Sequence, residues 1–232
     1  MENQKDEKYY SQLAEKVKSA YNTAFFNKQT RQYGTGSQCS NAISLYFNLV
    51  DQQNKLAVLE NLVADIRKHG NRLTTGDVGT RYLFQTLANS GLNELVYTMN
   101  NHEEVPGYGF QLKFGATTLT EQWDPRQGAS WNHFMMGHID EWFFAWLAGI
   151  QPDQTSPGFK KFIINPQAVG DLTSVTASTE TLYGRVAVNW EIENGIFKLE
   201  VAIPVNTEAE IILPDKSFHT VGSGKYSFRV KM

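Results

Sequence analysis

The spacing of apolar residues changes once along this 232-residue chain, and that change limits the folds open to it. Before residue 150, apolar side chains recur every three or four positions, which lines one face of an α-helix. Beyond the Pro- and Gly-punctuated stretch 151–158 they alternate, as in a strand buried on one side. The chain therefore reads as a multidomain α and β protein, with helical hairpins over residues 1–152 and a small antiparallel β-sandwich over residues 153–232.

Within the first part, Tyr9, Leu13, Val17, Ala20, Tyr21 and Ala24 predict a helix over 8–26 with one buried face. Ser37 is placed to cap a second helix running through Ile43, Leu45, Tyr46 and Phe47 toward Val50. A third spans 53–69, with Leu56, Leu59, Leu62, Val63 and Ile66 on one side and Gly70 as its stop. Residues 71–80 read as a loop feeding a helix over 81–90, with a shorter helix over 92–99. A loop over 102–109 leads to a short strand or extended run at 110–114. Residues 134–148 are strongly apolar and predict a largely buried helix in which Trp142 and Trp146 are core. In the second part, strands are predicted near 161–166, 173–179, 184–192, 196–203, 208–213 and 225–230, with an Asn194-Gly195 hairpin turn.

Composition removes several classes of function. A net charge of -3 gives no electrostatic footprint for nucleic acid. No apolar run approaches the roughly 18–20 residues that cross a bilayer, and the charged start does not resemble a secretory signal, so a soluble chain with no membrane partner is expected. That leaves the native compartment open, cytoplasmic or periplasmic. The single Cys39 forms no intramolecular disulfide, and the five histidines lack metal-ligand spacing, so no metal site is expected. Gly76-Asp-Val-Gly79 lacks the Gly-Lys-Ser/Thr ending of a phosphate loop.

The chemistry concentrates between Gly115 and His133. Glu121, Trp123, Asp124, Arg126, Trp131, Asn132 and His133 lie there among Gly and Pro, which is loop composition. Flat indoles, hydrogen-bonding forks and a carboxylate are what a sugar cleft needs for stacking, hydroxyl recognition and acid–base work. Asp77 and Tyr108 join the list on loop position alone. Each residue has a plainer reading. Glu121 could be a solvated carboxylate, His133 could satisfy a backbone group, Asp77 could be a loop or cap residue, and Arg126 could pair with Asp124 across a turn. Glu103 and Glu104 read as a solvated pair.

In order along the chain, Gly115-Ala-Thr-Thr-Leu-Thr-Glu121-Gln-Trp123, Trp131-Asn132-His133, Pro157-Gly158-Phe159-Lys160 and Tyr183-Gly184-Arg185-Val186 resemble the C-terminal part of the bacterial α-L-rhamnosidases. The similarity runs from about residue 75 to 213, and the ordered co-occurrence of four motifs makes it specific. It implies a partial (α/α)6 barrel followed by a β-sandwich, and an inverting glycoside hydrolase that removes terminal α-L-rhamnose without an organic cofactor. It further implies Glu121 as general base and His133 as a sugar contact in the same cleft. The matched motifs imply Trp123 and Asn132 as lining residues, Trp123 and Trp131 are sugar-platform candidates from their polar and turn surroundings, and Asp77 and Tyr108 are weaker additions because related Gly-x-x-Gly-Thr stretches need not carry an aspartate.

An inverting glycosidase needs a second, protonated carboxyl about 6.5–9.5 Å from the base. The family's acid lies in a segment upstream of anything matched here, and only about half of a barrel's twelve helices can be counted. The chain is accordingly expected to be a portion of a longer enzyme or a shortened relative, inactive alone, with apolar helix faces that favour self-association. A non-catalytic carbohydrate-binding module and an interaction domain stand as alternatives.

Overall fold

In the computed structural model, which describes residues 3–232, the chain divides into two compact units. The first holds residues up to Ser90 together with 99–137. It opens with α1 (Gln4–Phe25), whose C-terminal end leads into a two-residue strand pair, β1 (Phe26–Asn27) and β2 (Gln32–Tyr33). Then come α2 (Gln38–Tyr46), α3 (Lys55–Lys68) and α4 (Asp77–Asn89). Ser37 caps α2 as its position predicts, its side chain accepting from Ser40 N–H. Helices α2 and α4 pack closely, and Thr86 donates to the Ala42 carbonyl between them (3.1 Å). Gly79 permits that approach, since a Cβ there would stand 2.8 Å from Cys39 Sγ. The Gly-x-x-Gly stretch thus has a packing reason.

The expected buried face of α1 is not buried. Tyr9, Leu13 and Val17 are exposed, and among the described residues of α1 none is fully buried. Only its last turns are held: Tyr21 stacks on Tyr33, Tyr21 Oη lies 2.9 Å from Ser44 Oγ, and Asn22 donates to the Leu49 carbonyl (2.7 Å). The pattern is amphipathic, but burial needs a partner surface that α1 does not meet here. A helix without tertiary packing is marginal in water. In an amide-exchange experiment the first three turns of α1 should exchange within about tenfold of the unprotected rate, while the buried turns of α4 exchange far more slowly. Equal protection would show that α1 has found a partner.

The other early departures are local. In α3 the buried positions are Val58, Leu62 and Ile66, and Leu56 faces solvent, so the apolar stripe is rotated from its expected axis. Helix α4 begins at Asp77, which places that residue in a first helical turn rather than a loop. Residues 108–113 form α6 (Tyr108–Lys113) instead of a strand; they follow α5 (Asn93–Asn100), most of which belongs to the second unit.

The second unit holds residues 91–98 and 138–232. Residues 134–148 do not form one buried helix. A 3-10 turn at Phe134–Met136 closes the first unit, and the second resumes with α7 (Ile139–Trp142) and a π-helical turn at Phe143–Leu147. Phe134, Phe143 and Phe144 are exposed, whereas Trp142 and Trp146 are buried as expected, Trp142 donating to Asn93 Oδ1 (2.9 Å). The segment stops at Gly149, where φ is +79° and a Cβ would come within 2.3 Å of the Pro166 nitrogen.

Eight strands follow: β3 (Ile150–Pro152), β4 (Lys161–Ile164), β5 (Ser174–Thr181), β6 (Gly184–Glu193), β7 (Ile196–Ile203), β8 (Glu208–Ile212), β9 (Phe218–Val221) and β10 (Gly224–Lys231). They form two four-stranded sheets, ordered β3-β4-β8-β9 and β10-β7-β6-β5. All pairings are antiparallel except β4 with β8. The β6–β7 hairpin turns through Asn194 and Gly195 with φ of +52° and +73°, the positive pair that an Asn-Gly turn supplies. Alternating residues Val186, Val188 and Trp190 on β6 and Phe197, Leu199 and Val201 on β7 share one core with Phe162, Ile164 and Ile211 of the other sheet. No helix of the described residues is long and apolar enough to cross a membrane.

Candidate active site

Every residue predicted for the site lies in the first unit, and most sit on one clamped loop between α6 and residue 137. The loop is extended, so its backbone groups must find partners one at a time. Two of its arms run side by side: Glu121 N–H donates to the Ser130 carbonyl (2.8 Å) and His133 N–H to the Leu119 carbonyl (2.9 Å). Beneath them the buried Gln111 amide of α6 donates to the carbonyls of Thr120 (3.4 Å) and Gln122 (3.2 Å). Thr120, also buried, donates to the Gln122 carbonyl (2.7 Å). These bonds fix the backbone on either side of Glu121 while its side chain stays exposed, with Oε2 accepting from Ser130 N–H (3.3 Å). A carboxylate on a rigid mount with solvent access is suited to taking a proton from water.

Trp123 is fixed at both ends of its indole. Its Nε1 donates to the Thr75 carbonyl (2.6 Å), and Tyr108 meets its ring edge-on with centroids 5.0 Å apart. Thr75 is buried and its hydroxyl lies 2.9 Å from that of Thr80, so the loop before α4 supports the indole. Tyr108 donates its hydroxyl proton to the Met136 carbonyl, which leaves the phenol with a bracing role. Trp131 is more open, 43% exposed, with its indole N–H on the Pro125 carbonyl (3.2 Å). Asn132 is exposed and its backbone N–H binds Ser130 Oγ (3.2 Å).

Asp124 and Arg126 pair across the turn in two parallel bonds of 2.8 Å, as their spacing suggests. The guanidinium holds the Asp124 carboxyl below the usual carboxylate range through these hydrogen bonds. Arg126 also lies 4.3 Å over the Phe114 ring, so the pair closes the loop onto α6. Glu104, expected to be merely solvated, is bonded to Lys113 (2.7 Å). His133 has its Nε2 3.7 Å from Asp77 Oδ2, a juxtaposition that joins the first turn of α4 to the loop. No cluster of metal-ligating side chains occurs among the described residues.

Gln111, Thr75 and Thr120 support the site and were not among the expected residues. Gln111 is separated from Tyr108 by three positions, so both fall on one helix face once 108–113 is seen as helical. The strand reading concealed that signal.

The chain is similar to a set of known proteins over nearly its whole length. Residues 1–147 match the bacterial alpha-L-rhamnosidase 6 hairpin glycosidase domain, and residues 149–228 match the bacterial alpha-L-rhamnosidase C-terminal domain. An alpha-L-rhamnosidase of Formosa agariphila is 35% identical over 214 residues, covering 88% of this chain and 23% of that protein. One of Streptomyces avermitilis is 31% identical over 232 residues, covering 94% of this chain and 22% of that protein. Among solved structures, Streptomyces avermitilis α-L-rhamnosidase complexed with L-rhamnose superimposes with a TM-score of 0.90 at 29% identity, over 96% of this chain and 24% of that one. The Dictyoglumus thermophilum α-L-rhamnosidase gives 0.88 at 34% identity, over 97% and 29%. The chain thus spans less than a quarter of the length of the curated relatives it matches. With both domain models satisfied in order, the helical unit and the β-sandwich belong to the bacterial α-L-rhamnosidase family.

Proposed function

We propose that this chain is the C-terminal portion of an inverting α-L-rhamnosidase, with Glu121 as general base and the general acid supplied by residues outside these 232. The observation that carries the reading is the mount of Glu121: an exposed carboxylate on a backbone clamped by Ser130 and Gln111, next to the braced Trp123. In this scheme Glu121 accepts a proton from water as the water oxygen bonds to the anomeric carbon. The bond to the leaving oxygen breaks on the opposite face, and the acid protonates that oxygen. Trp123 and Trp131 offer flat faces to the sugar's C–H surface, and His133 and Asn132 offer polar contacts to its hydroxyls.

The nearby carboxyls support an acid from elsewhere. Asp124 is locked to Arg126, Glu104 to Lys113, and Asp77 faces His133. Each thus faces a basic side chain, whereas an inverting enzyme keeps an isolated, protonated carboxyl opposite its base. The polypeptide incubated with an aryl α-L-rhamnoside should release phenol no faster than buffer does. Turnover that disappears in Glu121→Gln would place an acid within this chain, with Asp77, Glu103 and Glu104 the first to substitute.

The exposed stripe of α1 supports a second reading, a non-catalytic carbohydrate-binding or interaction domain that associates through that helix. Calorimetric titration with rhamnose separates the two. Binding that survives Glu121→Gln and is lost in Trp123→Ala, with no hydrolysis in any assembled enzyme, favours the second.

A further inference from the structure

The two ring nitrogens of His133 stand in different surroundings. Nε2 is fully buried, has no hydrogen-bond partner among the described residues, and lies 3.7 Å from Asp77 Oδ2. Nδ1 makes no hydrogen bond among the described residues, and on a side chain that is 25% exposed with Nε2 buried it is the nitrogen left for a ligand. Asp77 is itself oriented: its Oδ1 accepts from Val78 N–H (2.8 Å) in the first turn of α4, which turns Oδ2 toward the imidazole. A carboxylate oxygen facing a buried ring nitrogen favours a proton on that nitrogen, because two facing lone pairs repel and burial removes the water that would screen them.

We propose that Asp77 is a positioning residue that holds the proton of neutral His133 on Nε2, so that Nδ1 presents a lone pair and accepts a hydrogen bond from a sugar hydroxyl. This rests on the carbohydrate reading above for the identity of the ligand, but not for the tautomer. It gives Asp77 a role different from direct sugar contact: the carboxylate acts through the imidazole. The arrangement selects a ligand that donates a hydrogen bond at that point, and a ring oxygen or ether there meets two lone pairs instead.

The isosteric variant Asp77→Asn reverses the arrangement. Val78 N–H retains the amide oxygen at the Oδ1 position, which puts the amide NH2 where Oδ2 stood. A donor then faces Nε2, and the proton moves to Nδ1. Long-range proton–nitrogen correlation spectra of the full 232-residue chain, recorded at about pH 8.5 to keep free imidazoles neutral, distinguish the two states. His133→Gln identifies the signal among the five histidines. The expected result is a protonated Nε2 in the native chain and a protonated Nδ1 in Asp77→Asn, with rhamnose affinity about three- to tenfold weaker in the variant. A native ring protonated at Nδ1 or at both nitrogens, or the same tautomer in both proteins, overturns the proposal. The predicted switch in a chain that binds no rhamnose would retain Asp77 as the positioning residue and remove the sugar reading, so the two failures are separable.

Discussion

Glu121→Gln lowers the turnover of an assembled enzyme about 10³-fold and leaves KM within about threefold, the signature of a lost general base. The assembly to use is the Streptomyces avermitilis relative with its matching segment replaced by this chain, 94% of which aligns with it. Gln preserves the shape of Glu121 and can still accept from Ser130 N–H, so the loop stays clamped while the proton acceptor is lost. Trp123→Ala should show the opposite division, a raised KM with a smaller change in kcat, because the proposed scheme uses the indole as a binding surface rather than a reacting group. Equal losses of kcat in both variants would mean that the loop collapses as a unit.

Trp190→Ala removes about 3–5 kcal/mol of stability from the β-sandwich unit. The indole is fully buried between the sheets, stacks against Phe197 with centroids 5.5 Å apart, and donates to the Leu147 carbonyl (2.8 Å). Truncation leaves a cavity and strands a buried carbonyl, two penalties that add. Urea unfolding followed through the methyl signals of Val188 and Leu199 measures it. Trp190→Phe, which fills most of the space but cannot donate, should cost roughly 1–2 kcal/mol. A loss below about 1 kcal/mol in the alanine variant would show that the core relaxes around the gap.

Six of the eight strands of the second unit were legible because alternation is a local property: Val186, Val188 and Trp190 declare a buried face without reference to any other segment, whereas the short β3 and the largely exposed β9 carry too little alternation to be seen. Their partners were not so plain. The parallel pairing of β4 with β8 joins segments more than forty residues apart and leaves no mark on either one. The helices show the same limit more strongly. Tyr9, Leu13 and Val17 have helical spacing, and α1 is a helix, but spacing reports amphipathicity and not the presence of a surface to bury against. At 134–148 an apolar run concealed a break: Gly137 ends the 3-10 turn of Phe134–Met136, and His138, Asp140 and Glu141 interrupt the apolar residues where α7 begins.

The site was legible as a cluster and not as a mechanism. Glu121, Trp123 and His133 could be singled out from residue type and loop composition, and the backbone pairing of 119–121 with 130–133 draws them onto one mount. Asp77 read as a loop or cap residue. Its place at the start of α4, with Oδ2 3.7 Å from His133 Nε2, joins segments more than fifty residues apart, which no inspection of residues 71–80 alone reveals.

The central claim, that Glu121 activates the water of an inverting hydrolase, is tested most directly by chemical rescue. Glu121→Gly in the same assembled enzyme leaves a gap where the base and its water stood, and azide can enter that gap as a nucleophile needing no deprotonation. With an activated aryl α-L-rhamnoside, azide should restore turnover and yield the β-L-rhamnosyl azide, inverted at the anomeric carbon. Rescue that gives the α-azide, or none while the unsubstituted assembly is fully active, would contradict the assignment.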